Sequence, residues 1–319
     1  EYPFSGGLPG TPKSAWHVDR GRFDTDLADL AERAGADVRY GVKVRALDIT
    51  GSEVRVTADG GVHHARFVVD ATGQDAFLAR RRKLVRSVKG FGVVAAFCHF
   101  SNLEDEVTRE LSERGNIKIL MHSDGWAWLI PLRGRRLSYG VVSRRAGVGA
   151  QIVDEVQAES KLIARLTRGA NRTEPRLIRH FSYVNEKPYG ARYACVGDAA
   201  AFLDPVFSSG ISLAMQGAEL MADALAPALA DGDEARVDLM DPVRAKVREA
   251  YVAYGSLIKS FYSTNLVKHF FFHPDPDPEL RAGLTSILAG DVFRDDNRFQ
   301  RSISKGRRLW TPEQVTGGG

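Results

Sequence analysis

Residues 195–214 bring together the residue types that could bind a polyol and an anion. An apolar stretch ends in Gly197-Asp198, a loop carries Asp204-Pro205 and Ser209-Gly210, and a segment rich in Ala, Leu and Met then predicts a long helix over 212–229. A carboxylate at a strand end can accept hydrogen bonds from sugar-like hydroxyls, and the free amides of a helix start attract an anion. The pattern indicates a binding loop between a strand and a helix. The alternative is that both glycines serve only the backbone.

Two tryptophans form a second candidate feature. Trp126 and Trp128 lie two residues apart in a predicted strand over 126–132. Side chains two residues apart on a strand point to the same face, so the pair forms one aromatic surface. On physical grounds alone, that surface could instead be an aromatic ridge in the core of a β-rich domain.

Two shorter segments could also carry chemistry. Arg20 precedes a predicted amphipathic helix over 23–33, and Asp70-Ala71-Thr72-Gly73 ends a predicted strand over 63–70 with small residues that would let backbone approach a ligand. Either segment alone has an ordinary explanation, since an arginine before a helix commonly forms a surface ion pair.

Taken in order, these segments resemble the FAD-dependent halogenases of the para-hydroxybenzoate hydroxylase-like flavoprotein superfamily. Gly197-Asp198 followed by Asp204-Pro205 and Gly210 is similar to the second FAD motif of that superfamily. The resemblance implies that Asp198 binds the ribityl or ribose-phosphate region and that Asp204 and Pro205 lie at the flavin. It also implies that Gly210 and Ile211 offer amides toward the pyrimidine side of the ring.

The halogenase branch is indicated by two of these segments. The Ser209-Gly210 step resembles the place where halogenases bind halide beside the flavin, and Trp126-Ala127-Trp128-Leu129-Ile130-Pro131 resembles the motif that separates them from hydroxylases. Four more FAD-binding positions are implied by the resemblance: Arg20 near the ribityl or phosphate part, Ala71 and Gly73 at the strand end, and Val44 through its backbone near adenine.

The resemblance implies a definite reaction. Reduced FAD and O2 would form a flavin hydroperoxide, chloride or bromide would attack it, and the hypohalous acid would halogenate an electron-rich aromatic or carrier-bound substrate in natural-product biosynthesis, including antibiotic biosynthesis. A flavin reductase would supply reduced FAD, and an acyl carrier protein or a small molecule would be the substrate partner. Two alternatives are open: a flavin hydroxylase or reductase of the same fold, and an inactive truncated form that only binds partners.

The glycine-rich unit that holds the ADP half of FAD is not found in the sequence. Such a unit needs Gly-x-Gly-x-x-Gly between a strand and a helix. Residues 6–10 have the wrong spacing, and the Gly90-Phe91-Gly92 match leads into a predicted strand. We therefore expect the glycine-rich unit and the active-site lysine of halogenases to lie upstream of Glu1, and Lys13 lacks the context for that role.

The predicted fold is α/β, a glutathione-reductase/para-hydroxybenzoate-hydroxylase-like FAD-binding fold without its first Rossmann βα unit. We expect four parts: a first FAD-binding segment (1–80), an inserted β-rich substrate domain (81–184), a second FAD-binding segment (185–230) and a helical C-terminal region (231–319). Helices are further predicted over 151–168 and 242–271, and a strand over 177–184.

Composition limits the possible classes. The chain has 319 residues, 44% of them hydrophobic, and a formal net charge of +4, which is too small an excess to indicate nucleic-acid binding. Without an apolar run of about 20 residues or a leader-like start, we expect no membrane partner and a cytoplasmic location. Cys98 and Cys195 are expected to be buried thiols, and no metal site is expected.

Three residue groups allow more than one interpretation. Two basic clusters could be solvated surface or could dock an acidic carrier: Arg80, Arg81, Arg82, Lys83, Arg86 and Lys89, and then Arg294, Arg298, Arg301, Lys305, Arg307 and Arg308. An aromatic group could pack on the core, which we favour, or close over a substrate: Phe261, Tyr262, Phe270, Phe271 and Phe272.

Overall fold

The computed structural model describes residues 3–263 and 277–305. The helices are α1 (Arg20–Arg33), α2 (Phe77–Arg81), α3 (Asp105–Arg114), α4 (Ile152–Glu159), α5 (Lys161–Leu166), α6 (Gly210–Asp231), α7 (Asp241–Tyr262), α8 (Pro278–Leu288) and α9 (Arg298–Lys305). The strands are β1 (Val44–Ile49), β2 (Val54–Ala58), β3 (Gly61–Ala65), β4 (Val68–Asp70), β5 (Val85–Ser87), β6 (Val94–Ser101), β7 (Lys118–His122), β8 (Gly125–Leu132), β9 (Arg136–Ser143), β10 (Asn171–Arg172), β11 (Arg176–Arg179), β12 (Tyr183–Asn185), β13 (Tyr189–Gly190), β14 (Tyr193–Cys195) and β15 (Ala201–Phe202).

Two compact units make up the described chain. The first unit takes in the described parts of 1–15, 39–91 and 182–319, and the second takes in Trp16–Val38 and Gly92–Phe181. Gly92–Phe181 lies within the predicted β-rich segment 81–184, and Trp16–Val38 joins it in the second unit from the predicted first FAD-binding segment.

The first unit contains three small sheets. Strands β1, β2 and β3 form an antiparallel meander, β5, β12 and β15 form a second sheet, and β13, β14 and β4 form the third. In the third sheet β4 and β14 run parallel although more than a hundred residues separate them in the chain. Helices α6 and α7 cover this sheet through an apolar cluster that includes Ala194, Met221 and Val243.

The second unit is built on one antiparallel sheet in the order β10-β6-β9-β8-β7, with β11 also pairing with β6. One face of the sheet forms a core with α3, α4 and α5, where Leu129, Tyr139 and Val141 are fully buried. Alternation along a strand sends Trp126 and Trp128 to the opposite face. Helix α1 belongs to this unit, and none of its residues is buried.

Most predicted elements are confirmed, with shifted ends. Helix α1 starts three residues earlier than predicted, with Asp19 at its N-cap. The single helix predicted over 151–168 is wrong: Ser160 adopts extended backbone and its hydroxyl caps α5 by accepting from the amide of Ile163, so the chain forms α4 and α5. The strand predicted over 177–184 is likewise two strands, because His180 between them has a left-handed φ of 52°.

The C-terminal helix predicted over 242–271 is confirmed as far as Tyr262. The remainder of that prediction, including Phe270, Phe271 and Phe272, lies outside the described residues, as do Arg307 and Arg308 and the side chain of Lys305. Of the helices in 3–263 and 277–305, none combines the length and apolarity that a membrane crossing requires.

Candidate functional site

Two strand ends that are far apart in the sequence meet at one edge of the third sheet. Strand β4 ends at Asp70 and strand β14 ends at Cys195, and these two residues are direct partners in the parallel register. The amide of Val196 donates to the carbonyl of Asp70 at 3.0 Å. Since parallel strands end at the same edge, the Ala71–Gly73 turn and the Gly197-Asp198 turn are neighbours.

Asp70 holds the first of these turns. Its carboxylate is 5% exposed in the folded chain and accepts hydrogen bonds from the amide of Thr72 at 3.0 Å, the hydroxyl of Thr72 at 2.6 Å and the amide of Leu78 at 2.8 Å. The last bond ties the turn to the start of α2. Gly73 follows with a φ of +60°, which glycine adopts without strain. Our sequence interpretation used Asp70 only as part of a motif and missed this role, although an aspartate two residues before a threonine is a known turn signal.

The second turn lies against helix α6. Gly197 has a φ of +56°, and a Cβ built on it would lie 3.0 Å from the Cβ of Ala214. Both observations require glycine, because a side chain would be strained in this backbone conformation and would press on the helix. The turn is therefore a place where backbone alone lines the surface beside Asp198.

Two buried tyrosines fix the backbone around Asp198. The hydroxyl of Tyr183 donates to the carbonyl of Asp198 at 2.6 Å, and that of Tyr251 donates to the carbonyl of Ala201 at 2.9 Å. Burial raises the pKa of both hydroxyls, and the charge of Asp198 acts in the same direction, so both remain donors at neutral pH. Neither tyrosine was predicted from the sequence, where nothing distinguishes them from other core aromatics.

The loop from Asp204 to Ser209 leads into α6. The carboxylate of Asp204 is 3% exposed; it accepts from the amide of Val206 at 3.1 Å and from the hydroxyl of Tyr262 at 2.8 Å. Pro205 opens a short 3-10 turn that ends at Phe207. Ser208 follows with a left-handed φ of 53°, which is unusual for a residue with a side chain.

Ser209 is the N-cap of α6 and is buried, and its side chain makes no capping hydrogen bond. The helix begins at Gly210, so the amides of Gly210 and Ile211 belong to the first turn, where helix geometry provides no intrahelical acceptor. These amides carry the partial positive charge of the helix start. This end of α6 is thus suited to a negatively charged group.

The tryptophan pair lies in strand β8 of the second unit. Trp126 is buried, Trp128 is half-buried, and their ring centroids are 5.8 Å apart. The indole of Trp128 donates to the hydroxyl of Ser138 at 3.1 Å. A Cβ built on Gly140 would lie 2.2 Å from this indole, so the ring rests directly on the backbone of β9. Gly140 was missed in the sequence, because only the cross-strand register reveals its contact.

Other predicted positions are distributed between the two units. Ala71, Gly73, Asp198, Asp204, Pro205, Ser209, Gly210 and Ile211 all lie in the first unit, as does Val44, which begins β1 and is exposed. Arg20 lies in the second unit, where its guanidinium makes two hydrogen bonds of 2.8 Å to the carboxylate of Asp24 one turn along α1. In the structure Arg20 therefore has the ion pair that an arginine at a helix start ordinarily forms.

The described residues fit the flavin end of an FAD. Gly197 leaves space where a Cβ would collide, Asp198 supplies a half-buried carboxylate, and the start of α6 supplies amide donors. Within 3–263 and 277–305 no Gly-x-Gly-x-x-Gly segment stands between a strand and a helix, and the Gly90-Phe91-Gly92 match continues into strand β6. That same part of the chain holds no cluster of three or more His, Cys, Asp or Glu side chains able to bind a metal.

Both cysteines are buried free thiols. Burial raises the pKa of Cys98 to about 11 and that of Cys195 to about 12. Neither thiol ionises near neutral pH, so neither is a nucleophile at the site.

Similar proteins include halogenases and a flavoprotein/dehydrogenase. The chain is 26% identical over 293 residues to the 1H-pyrrole-2-carbonyl-[peptidyl-carrier protein] chlorinase of Pseudomonas fluorescens. The aligned region covers 87% of this chain and 64% of the chlorinase. A flavoprotein/dehydrogenase from Cytophaga hutchinsonii superposes with a TM-score of 0.83 at 27% identity, covering 94% of this chain and 75% of that one. The flavin-dependent brominase Bmp2, in a triple-mutant form, superposes with a TM-score of 0.78 at 25% identity, covering 91% of this chain and 74% of that one.

The family itself is shown by a match along almost the whole chain. The chain spans slightly less than two thirds of the chlorinase's length, at 64%. The tryptophan halogenase family model matches residues 7–304, and the α/β fold is that of FAD-dependent halogenases. The chain belongs to the flavin-dependent halogenases of the tryptophan halogenase family.

Proposed function

We propose that the whole protein is a halogenase that uses reduced FAD and O2 to chlorinate or brominate an electron-rich substrate. The observation that carries the proposal is the position of helix α6. Its partially positive N-terminal end follows the loop from Asp204 to Gly210, and the helix packs beside the Gly197-Asp198 turn. Family membership supports the same reaction class.

The first unit would hold the flavin end of FAD. Asp198 would accept hydrogen bonds from ribityl or ribose hydroxyls through its carboxylate, while its carbonyl accepts from Tyr183. Ala71 and Gly73 offer backbone at the adjoining strand end. Val44 would contact adenine through its backbone, and Arg20 would bind the ribityl or phosphate part.

Halide would bind at the amides of Ser209 and Gly210. A halide ion needs only donors and a dry, positive surrounding. Ser209 and the loop residue Val206 are both buried, which limits water at this point. Bound reduced FAD, with O2, supplies the oxidising equivalents that turn the halide into a hypohalous acid.

Trp126 and Trp128 would be catalytic residues contributed by the second unit. Their rings are held by each other, by Ser138 and by the bare backbone at Gly140, so they form a fixed aromatic surface.

The substrate would be an aromatic compound, free or attached to an acyl carrier protein, in a natural-product pathway, and a flavin reductase would supply the reduced FAD. Two arginines in the described part of the C-terminal cluster form ion pairs: Arg294 binds Asp291 and Asp296, and Arg298 binds Glu279. In the first cluster Arg86 binds Glu186, and the guanidinium groups of Arg80, Arg81 and Arg82 lie over aromatic rings. Either cluster would suit an acidic carrier.

The test is the mass of the product. The chain is incubated with FAD, a reductase, O2, and pyrrole or phenol substrates, free and carrier-bound, with chloride, bromide or no halide. We expect exchange of hydrogen for halogen with the matching isotope pattern, and no such product without halide. Oxygen insertion without any halide-dependent product would instead identify the hydroxylase of the same fold.

A second candidate function is a flavin oxidoreductase without halide chemistry. The likeness to the Cytophaga hutchinsonii flavoprotein/dehydrogenase favours it, since one fold supports several flavin reactions. A third reading is a partner-binding protein without activity. Yellow flavin absorbance that stays with the protein after unbound FAD is removed, or a rise in Tm on adding FAD, separates both flavin functions from this third one.

A further inference from the structure

The end of helix α7 contacts the proposed halide loop at two neighbouring residues. Tyr262, the last residue of α7, donates its hydroxyl to Asp204 Oδ2 at 2.8 Å. Phe261, the residue before it, meets the ring of Phe207 edge-on with centroids 5.8 Å apart. The helix therefore holds the loop at two points, Asp204 and Phe207.

The Tyr262 side chain is itself held in place. Its ring stacks on Phe91 with centroids 6.5 Å apart and meets Phe261 edge-on at 5.6 Å. A ring packed from two sides keeps its hydroxyl in one position, so the bond to Asp204 is directional.

The loop needs such support because its conformation is unfavourable for its sequence. Ser208 has a left-handed φ of 53°, and a residue with a Cβ keeps that conformation only where its surroundings hold it. The following residues, Ser209 and Gly210, carry the two amides proposed to bind halide. The direction of both amides depends on the backbone angles of Ser208 and Ser209.

The sequence alone does not reveal this relationship. Our sequence interpretation assigned Tyr262 to an aromatic group that packs on the core and assigned Asp204 to the cofactor. Only the fold brings the two side chains together across 58 positions of the chain.

The geometry points to Tyr262 as a positioning residue of the halide site: through Asp204 it holds the loop that aims the amides of Ser209 and Gly210 at the ion. This inference rests on the proposed halogenase function. In this arrangement Tyr262 contacts neither the halide nor the cofactor. Loss of its hydroxyl should therefore change halide affinity and the order of the loop, and not the chemistry of a reacting group.

The experiment compares two hydroxyl deletions on the same helix. Tyr262→Phe removes the bond to Asp204. Tyr254→Phe removes an equally short bond, in which the buried hydroxyl of Tyr254 donates to the carbonyl of Ile287 at 2.8 Å, away from the loop. Halide affinity is measured by chloride-35 NMR line width and by bromide competition, with and without FAD, and loop order is measured by amide hydrogen exchange of a peptide covering 204–212.

We expect Tyr262→Phe to weaken halide binding by about fivefold or more, as loss of one hydrogen bond would allow, and to speed exchange of the loop amides. Tyr254→Phe should leave both measurements as in the unaltered protein. Equal effects of the two variants, or no effect of Tyr262→Phe while the unaltered protein binds halide, would overturn the positioning role alone. If the unaltered protein binds no halide in either condition, the proposed halide site fails and this inference fails with it.

Discussion

Gly197 and Ala214 approach each other closely: a Cβ on Gly197 would lie only 3.0 Å from the Cβ of Ala214, tighter than an ordinary van der Waals contact. This relationship joins the end of β14 to the first turns of α6. The Gly197-Asp198 turn therefore lies against α6, and both belong to the first unit.

Gly197→Ala should lower stability and FAD affinity together. The left-handed φ of 56° costs alanine about 1 kcal/mol or more, and the contact with Ala214 adds to this. We expect a fall in Tm of roughly 2–4 °C, measured by calorimetry. Gly217→Ala is the control, because its methyl would meet Val196 and Val247 only at 3.9 Å and alanine favours a helix. Equal losses in the two variants would contradict this interpretation.

Asp198→Ala should weaken FAD binding without unfolding the chain. The carbonyl that Tyr183 holds is unaffected by the change, so the turn should persist. Loss of hydrogen bonds from a carboxylate predicts a Kd raised by about tenfold to a hundredfold, measured by flavin fluorescence. Asp238→Ala, which removes an exposed ion pair with Arg236, serves as the control. An unchanged Kd would remove Asp198 from the cofactor site.

Ser209→Pro should abolish halide binding, because proline lacks the amide that we place on the ion. Ser209→Ala keeps the amide and loses only a hydroxyl that makes no capping bond, so it should bind halide normally. Halide-dependent product and chloride-35 line width are the measurements. A proline at 209 also restricts the backbone of Ser208, which has a left-handed conformation. The Tm of both variants is therefore compared, to separate loss of the amide from loss of stability. Normal chlorination by the proline variant would refute this halide position.

Gly140→Ala should displace the indole of Trp128. A methyl 2.2 Å from the ring cannot be accommodated without moving either the ring or strand β9. We expect a loss of about 1–3 kcal/mol in the free energy of unfolding and a changed tryptophan fluorescence spectrum. Gly51→Ala, whose methyl meets open space, should change neither quantity. An unchanged spectrum in Gly140→Ala would show that the ring is not held on the strand.

Glu234 should make stability depend on pH in the acid range. Its side chain is 5% exposed and binds Arg66 at 2.5 Å and Arg192 at 2.8 Å, and the hydrogen bond from Arg66 is the main cause that lowers the pKa of this carboxyl from 4.5 to about 2. A lowered pKa means that the folded state binds the proton more weakly than the unfolded state does, so the stabilisation is complete above pH 4.5 and is lost as the pH falls toward 2.

Urea unfolding of the unaltered chain and of Glu234→Gln at several pH values measures this effect. The stability difference between them should be largest above pH 4.5 and should shrink steadily below it. Asp238→Asn, at an exposed ion pair, should give a small difference at every pH. A constant difference for Glu234→Gln across the range would contradict the ion-pair explanation.

Local patterns in the sequence were enough to predict the family and most elements. The Gly197-Asp198 turn, the Asp204–Gly210 loop and the Trp126/Trp128 alternation are short segments, and each obeys rules of backbone geometry that act over a few residues. For the same reason the ends of α6 and of strand β8 fell close to their predicted positions. The break at Ser160 and the turn at His180 were missed, because a helix cap and a left-handed residue interrupt patterns whose apolar spacing continues across them.

Only the tertiary structure decided which distant residues support these segments. The parallel pairing of β4 with β14 brings Asp70 beside Cys195, and packing of α7 brings Tyr251 to Ala201 and Tyr262 to Asp204. Gly140 matters because of the residue across the sheet and not because of its neighbours in the chain. Contacts of this kind leave no periodic trace in a single sequence, since a buried tyrosine or a strand glycine looks the same whether it packs a core or holds a binding loop.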